Sequence, residues 1–389
     1  MSEGIRMNKN IHEYTIDAFF ALIRAGLWEN RDEFHVSGFR FHGSVDWDEV
    51  YQLAEEQSVI GVVLAGIEHS NVKPPQELLL QWIGEVQILE QQNKSMNQFI
   101  AELVERLRKA DIYTLLVKGQ GIAQCYERPL WRACGDVDFF LSDSSYDKAK
   151  AFLMPLASTI EPEGIYKRHF EMVIEPWVVE LHGSMRSGLS SSVDNVIDET
   201  QYEVFNGGNV RSWMDGKTQV FLPGVNCDVI FVFTHFIKHF YCEGLGLRQI
   251  CDWCRLLWTY RDSLNHGQLE YRIRRAGLMS EWKVFASFAV EYLGMPVEAM
   301  PLFNENDSKN HNLYRKAELI KDFVMEVGNM GHNRDTSYFE KYPYLIRKVC
   351  SLRRRCWDLI RHAKISPQDS FRFFPNIMLN GLRSAARGE

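Results

Sequence analysis

The sequence lacks most of the features that narrow a protein's role quickly. No run reaches the ~18 apolar residues of a membrane-spanning helix. The first residues, MSEGIRMNKNIHEY, contain no apolar signal region. Eight cysteines among 389 residues are scattered without framework spacing, which excludes a disulfide scaffold. No internal repeat or low-complexity tract is present, which excludes solenoids and linker-like chains. Positive charge is not in excess: the net charge of -7 argues against bulk affinity for nucleic acid. These absences predict a cytoplasmic protein with reduced thiols and no membrane insertion.

What is present is an ordinary globular composition, 46% hydrophobic and 24% charged. The chain is long enough for two or three domains and a sizeable core. Residues 1–109 read as helical. Ile16, Phe19, Phe20, Ile23 and Leu27 recur at helical spacing, Ser44 suits a cap before Val45 to Glu55, and Pro74-Pro75 opens a long helix that runs, with or without a break, from Gln76 to Lys109. Residues 110–222 alternate element types. Strands are predicted over 112–117 and 135–141, with helices over 119–126 and 145–156. A hairpin from Tyr166 to Leu181 turns near Glu175-Pro176, and strands at Gln201 to Phe205 and Gln219 to Leu222 extend the sheet. Residues 223–389 return to helices, ending in a basic segment with Arg353-Arg354-Arg355 and the aromatics Phe371, Phe373 and Phe374. The predicted class is α+β: a small mixed sheet flanked by helical N-terminal and C-terminal regions.

Chemistry concentrates in LLVKGQGIAQCYERPLWRACGDVDFFL, Leu115 to Leu141. Strand alternation projects Asp136 and Asp138 from one face and turns Val137 and Phe139 toward the core. Two carboxylates one pleat apart repel unless a cation lies between them, and a divalent ion with oxygen ligands is the simplest remedy. Glu180, in WVVELH, is a further acid on an apolar strand. It is either a third member of that set or the wet side of an amphipathic strand.

Lys118-Gly119, Gly135-Asp136-Val137-Asp138 and the later Glu180 resemble the active-site pattern of the DNA polymerase β-like nucleotidyltransferase superfamily. The wording VKGQGIAQCY, R-x-x-GDVDFFL, VELH, H-x-x-x-H and LRQICD is most similar to a little-characterised bacterial nucleotidyltransferase-like family. The resemblance covers about Ile112 to Trp258. Gln120 stands where a second small residue is usual, and the stretch from Gly119 to Asp136 is longer than is common.

The resemblance implies a metal-dependent transfer of an NMP from an NTP to an acceptor, with release of pyrophosphate. Asp136, Asp138 and Glu180 would be catalytic and would hold Mg2+ or Mn2+. Lys118, Gly119, Gln120, Arg132 and Gly135 would surround the NTP phosphates, Gly119 by letting amides at a helix N-terminus approach them. His182, His235, His239, Arg248 and Asp252 would wall the cleft. Arg248 and Asp252, four apart, suit a helix-surface pair. His235 and His239 with Cys251 and Cys254 also have the spacing of a Cys2His2 zinc site, against which stands packing of the cysteines among Ile250, Trp253 and Leu257. The acceptor is a small molecule, a sugar phosphate or a protein rather than RNA, given the acidic charge. The alternatives are a nucleotide-binding protein without turnover and a kinase-like phosphotransferase. The chain lacks both the G-x-x-x-x-G-K-[ST] loop and the H-R-D and D-F-G kinase set.

Overall fold

The computed structural model describes residues 2–29, 44–161, 163, 168–207, 209–331, 333–334 and 342–385. Four helices lead: α1 (Ser2–Leu27), α2 (Trp47–Glu56), α3 (Ile60–Glu68) and α4 (Gln76–Lys109). Asp46, not Ser44, caps α2: its carboxylate accepts from the Glu49 amide at 3.1 Å. The unbroken α4 buries one stripe, Trp82, Val86, Asn93, Met96, Ile100, Val104 and Leu107, at spacings of three, four and seven.

The middle of the chain follows as β1 (Leu115–Val117), α5 (Gly119–Ala123), β2 (Asp136–Phe140), α6 (Asp143–Leu153), β3 (Thr159–Ile160), β4 (His169–Ile174), β5 (Trp177–His182), α7 (Ser191–Asn206), β6 (Val210–Asp215) and β7 (Thr218–Pro223). Five strands form one mixed sheet in the order β1-β2-β5-β4-β3. β2 runs parallel to β5, and the other neighbours are antiparallel.

The sheet has two different faces. Leu116, Val137, Phe139, Val179, Leu181, Phe170 and Met172 share one, packed with Met96, Ile100 and Val104 of α4 and Tyr146, Ala149 and Leu153 of α6. Each large side chain so buried contributes about 1.5–3 kcal/mol. The other face carries Asp136, Asp138 and Glu180.

Two expected strands differ. Gln201 to Phe205 lies within α7, because Val193, Val196, Ile197, Thr200 and Val204 extend a helical period across sixteen residues and Ser190 caps it. Five residues alone fit either period. Gln219 to Leu222 is a strand, but it pairs with β6 in a separate hairpin and does not extend the sheet. The expected start of β4 at Tyr166 lies outside the described residues.

The last part is helical: α8 (Val225–Cys242), α9 (Leu247–Thr259), α10 (His266–Ala276), α11 (Met279–Leu293), α12 (Glu305–Ser308), α13 (His311–Val327), α14 (Tyr344–Ile365) and α15 (Pro367–Ala385). No described helix is long and apolar enough to cross a membrane. The leading and trailing helices share one core. Trp28 Nε1 donates to Leu293 O at 2.7 Å, and Gln57 joins Val324 O to the Leu247 amide. Of the three tail phenylalanines, Phe373 is fully buried and Phe371 is exposed.

A buried acid pair in this helical region makes stability sensitive to pH. Glu281 accepts hydrogen bonds from Tyr241 and Ser366, while burial and then the Asp369 charge push its carboxyl up to about 8. An unfolded glutamate titrates near ~4.3. Between those values the folded state binds the extra proton, so this contribution is full at low pH and declines as pH rises toward 8. Glu281→Gln should therefore flatten the fall in melting temperature between pH 5 and pH 8, a difference on the order of a few kcal/mol. Thermal melts across that range, with parallel slopes for variant and wild type, would refute this assignment.

Candidate active site

The register of the sheet assembles the polar face. Asp138 pairs with Val117 on β1 and with Glu180 on β5, and Glu180 pairs in turn with Glu171 on β4. His182 pairs with both Phe140 and His169. Residues directly opposite one another project to the same side, so Asp136, Asp138, Glu180, His182 and His169 share one surface. One oxygen each from Asp136, Asp138 and Glu180 lies within 4.8 Å of the others, a donor set that could hold a divalent ion.

Lys118 follows β1 with φ of +54°, and Gly119 comes next at +37°. The lysine sits in a sparsely populated backbone region, which costs about 1–3 kcal/mol and is typical of functional sites. Its side chain reaches Asp138, Nζ to Oδ1 at 2.8 Å. A Cβ on Gly119 would come within 3.1 Å of Cys134 Sγ, so both its φ and its surroundings favour glycine. His182 Nε2 lies 2.6 Å from Asp138 Oδ1 and 3.3 Å from Glu180 Oε2. His169 Nε2 lies 2.9 Å from the same Glu180 oxygen.

The electrostatics divide the carboxylates. Repulsion from Asp138, then burial and Glu180, pushes the Asp136 carboxyl up to about 6, although Lys118 and Arg248 pull it down. Burial acts in the same sense on Asp138, but the Lys118 charge and the His182 hydrogen bond outweigh it and hold that carboxyl below the usual range. Glu180 is also depressed: burial raises it, and the hydrogen bonds from His169 and His182 prevail. The face therefore carries concentrated negative charge that one lysine offsets only in part. A further divalent cation would relieve the repulsion on Asp136, so donor type and charge both fit such an ion.

A cavity of about 350 Å³ opens over this face. Its wall includes Lys118, Gly119, the three acids, His169 and His182 from the sheet side, with His235, Lys238 and His239 of α8 and Arg248 and Asp252 of α9 opposite.

Several expected site residues are placed differently. Arg132 is buried and committed to Asp252, with Nη2 at 2.5 Å and Nε at 3.1 Å from its oxygens. It braces the cavity wall as an ion pair. Asp252, taken by Arg132 and by the Tyr126 hydroxyl at 2.8 Å, is not the partner of Arg248. Arg248 instead donates from Nη1 to Ala133 O at 2.7 Å and stands near Asp136. Gln120 points inward, donating to Asn93 Oδ1 at 2.6 Å, because Asn93 is a polar gap in the buried stripe of α4. Gly135 is exposed, lies outside the cavity wall and has open space where a Cβ would stand. The expected helix N-terminus at Gly119 belongs to the five-residue α5, too short to sum a useful dipole. His235 and His239 contact each other, Nε2 to Nε2 at 2.9 Å, and no three of His235, His239, Cys251 and Cys254 converge as metal ligands. Both cysteines are fully buried in the helical core.

His169 is the member that strand periodicity alone does not single out. Its signal was the two-residue connection at Glu175-Pro176. That turn sets Ile174 against Trp177 and, five pairs along, His169 against His182.

No curated protein and no solved structure matches the chain. A family model described as "Uncharacterised nucleotidyltransferase" matches residues 43–294, well over half the chain, from the approach to α2 through the whole sheet to the end of α11. By that match and by the acidic face it encloses, the chain belongs to this uncharacterised nucleotidyltransferase family.

Proposed function

We propose that the protein moves an NMP from an NTP to an acceptor hydroxyl, releasing pyrophosphate, on a core related to the DNA polymerase β-like superfamily. The convergence of Asp136, Asp138 and Glu180 beside Lys118 in one cavity carries this reading. The acceptor hydroxyl oxygen attacks the α-phosphorus and gives up its proton to Glu180 or to water, the bond from that phosphorus to the bridging oxygen breaks, and pyrophosphate leaves. Such transfer needs positioning and charge neutralisation more than covalent help from the protein. Bound Mg2+ or Mn2+ would neutralise phosphate charge and polarise the attacking and leaving oxygens. Asp136, Asp138 and Glu180 would hold it, Glu180 on the side of the attacking hydroxyl. Lys118 would pass from Asp138 to the triphosphate. Arg248, rather than Arg132, would supply the second phosphate cation, since Arg132 is committed to Asp252.

Residues 110–222 form the catalytic unit in this account, and residues 1–109 and 223–389 build the acceptor side. The net charge of -7 favours a small molecule, a sugar phosphate or a protein over RNA as acceptor. The test uses NTPs labelled at the α or the γ position, with Mg2+ and fractionated small-molecule and protein acceptors. Retention of α-label on an acceptor together with pyrophosphate is expected. Transfer of γ-label with release of a nucleoside diphosphate would replace the reading with a kinase-like one. NTP binding without any product would leave a nucleotide-binding protein.

A further inference from the structure

The hairpin of β4 and β5 brings together a second donor set that shares Glu180 with the carboxylate site and adds two histidines to it. One ligand atom each from His169, Glu180 and His182 lies within 4.8 Å of the other two. His169 Nε2 and His182 Nε2 lie 2.9 and 3.3 Å from the same Glu180 oxygen; His182 Nε2 is nearer still to Asp138 Oδ1, at 2.6 Å, a contact it would give up to take a metal. The rings stand 4.8 Å apart with a 33° tilt, so neither blocks the other. Metal bonds of about 2.0–2.2 Å place neighbouring ligand atoms about 2.9–3.5 Å apart in octahedral or tetrahedral geometry. The two nitrogen-to-oxygen separations fall in that range before any adjustment.

We propose that His169, Glu180 and His182 form a second cation site that takes a first-row transition-metal ion, of the Mn2+ to Zn2+ series, in preference to Mg2+. Two imidazole nitrogens and one carboxylate suit Mn2+, Fe2+, Co2+ and Zn2+. Mg2+ favours oxygen donors and sheds water reluctantly. Glu180 belongs to both groups and bridges them, so the oxygen-rich Asp136–Asp138 side and the nitrogen-rich His169–His182 side differ in preference. The His169 side chain is 33% exposed and faces the cavity, which leaves room for water or a substrate oxygen at the remaining coordination positions. Binding at this site does not require nucleotidyl transfer. Its service as the second ion beside the attacking hydroxyl rests on the function proposed above.

The experiment uses the purified full chain, stripped of divalent ions and titrated with MnCl2 alone, in the absence of nucleotide. Bound Mn2+ is counted by electron paramagnetic resonance, and pulsed measurements read nitrogen-14 coupling from directly coordinated imidazole. Nitrogen-coupled Mn2+ is expected in wild type. His169→Ala should weaken that class at least about 10-fold and cost Mg2+ binding, which uses Glu180 but no imidazole, several-fold less, with an unchanged thermal melt showing that the fold persists. The absence of coordinated nitrogen on any Mn2+ bound by wild type would overturn the site, leaving the histidines as hydrogen-bond supports of Glu180. So would equal Mn2+ affinity in wild type and a folded His169→Ala. Nitrogen-coupled Mn2+ in a protein that releases no pyrophosphate from any NTP would uphold this site and remove only the transfer reading.

Discussion

Asp138→Asn should reduce pyrophosphate release by about 10³-fold or more, the largest catalytic loss among the three acids. The reason is its position. Asp138 is central in β2, paired with Val117 on the antiparallel β1 and with Glu180 on the parallel β5. It is also the acid that Lys118 and His182 both engage through Oδ1. The substitution removes the negative charge that serves as metal ligand, as counter-ion to the lysine and as partner of the histidine, all at once. Asp136→Asn removes only the first of these, and Glu180→Gln leaves the Asp136–Asp138 pair intact. Initial rates of pyrophosphate release at saturating Mg2+ order the three variants. Turnover in Asp138→Asn within tenfold of wild type would show that the carboxylate does not serve the reaction.

The second large effect is on stability. Asp252→Ala should destabilise the fold by about 3–5 kcal/mol, because it strands the Arg132 guanidinium in a buried wall. Arg132 is 5% exposed, and its Nη1 has no hydrogen-bond partner among the described residues. The Tyr126 hydroxyl loses its acceptor in the same step. Replacing both ends, as in Arg132→Met with Asp252→Leu, should recover most of the loss, since apolar groups of similar size carry no desolvation penalty. Urea denaturation of the single and double variants measures this. A loss below 1 kcal/mol for Asp252→Ala would mean that water reaches the guanidinium and that the pair is not a brace.

The extent to which the sequence disclosed this arrangement follows the range of each interaction. Asp136 and Asp138 were legible because a two-residue period is a local property, and Phe139 and Val137 confirm the opposite face as core. The long α4 was legible for the same reason, from Pro75 through its apolar stripe. The partner of Asp252 was not. Helical spacing offers Arg248 four residues away, whereas the structure supplies Arg132 from 120 residues upstream. Gln120 was likewise misplaced, because only tertiary packing reveals Asn93 as its acceptor. Glu180 presented two readings because a lone acid on a strand has no local partner. The parallel pairing with β2 brings it beside Asp138, and pairing between β2 and β5 is a non-local fact. His169 falls between these cases: the hairpin turn contains its position, but only counting pairs outward from Ile174 and Trp177 brings it to His182.

The most direct measurement is NTP binding to the full chain with and without Mg2+, in wild type and in Asp138→Asn. Wild type should bind NTP at least tenfold more tightly with Mg2+, and the variant should show no metal enhancement. Equal binding with and without the metal in wild type, or undiminished enhancement in Asp138→Asn, would contradict the assignment of Asp136, Asp138 and Glu180 as the nucleotide–metal site.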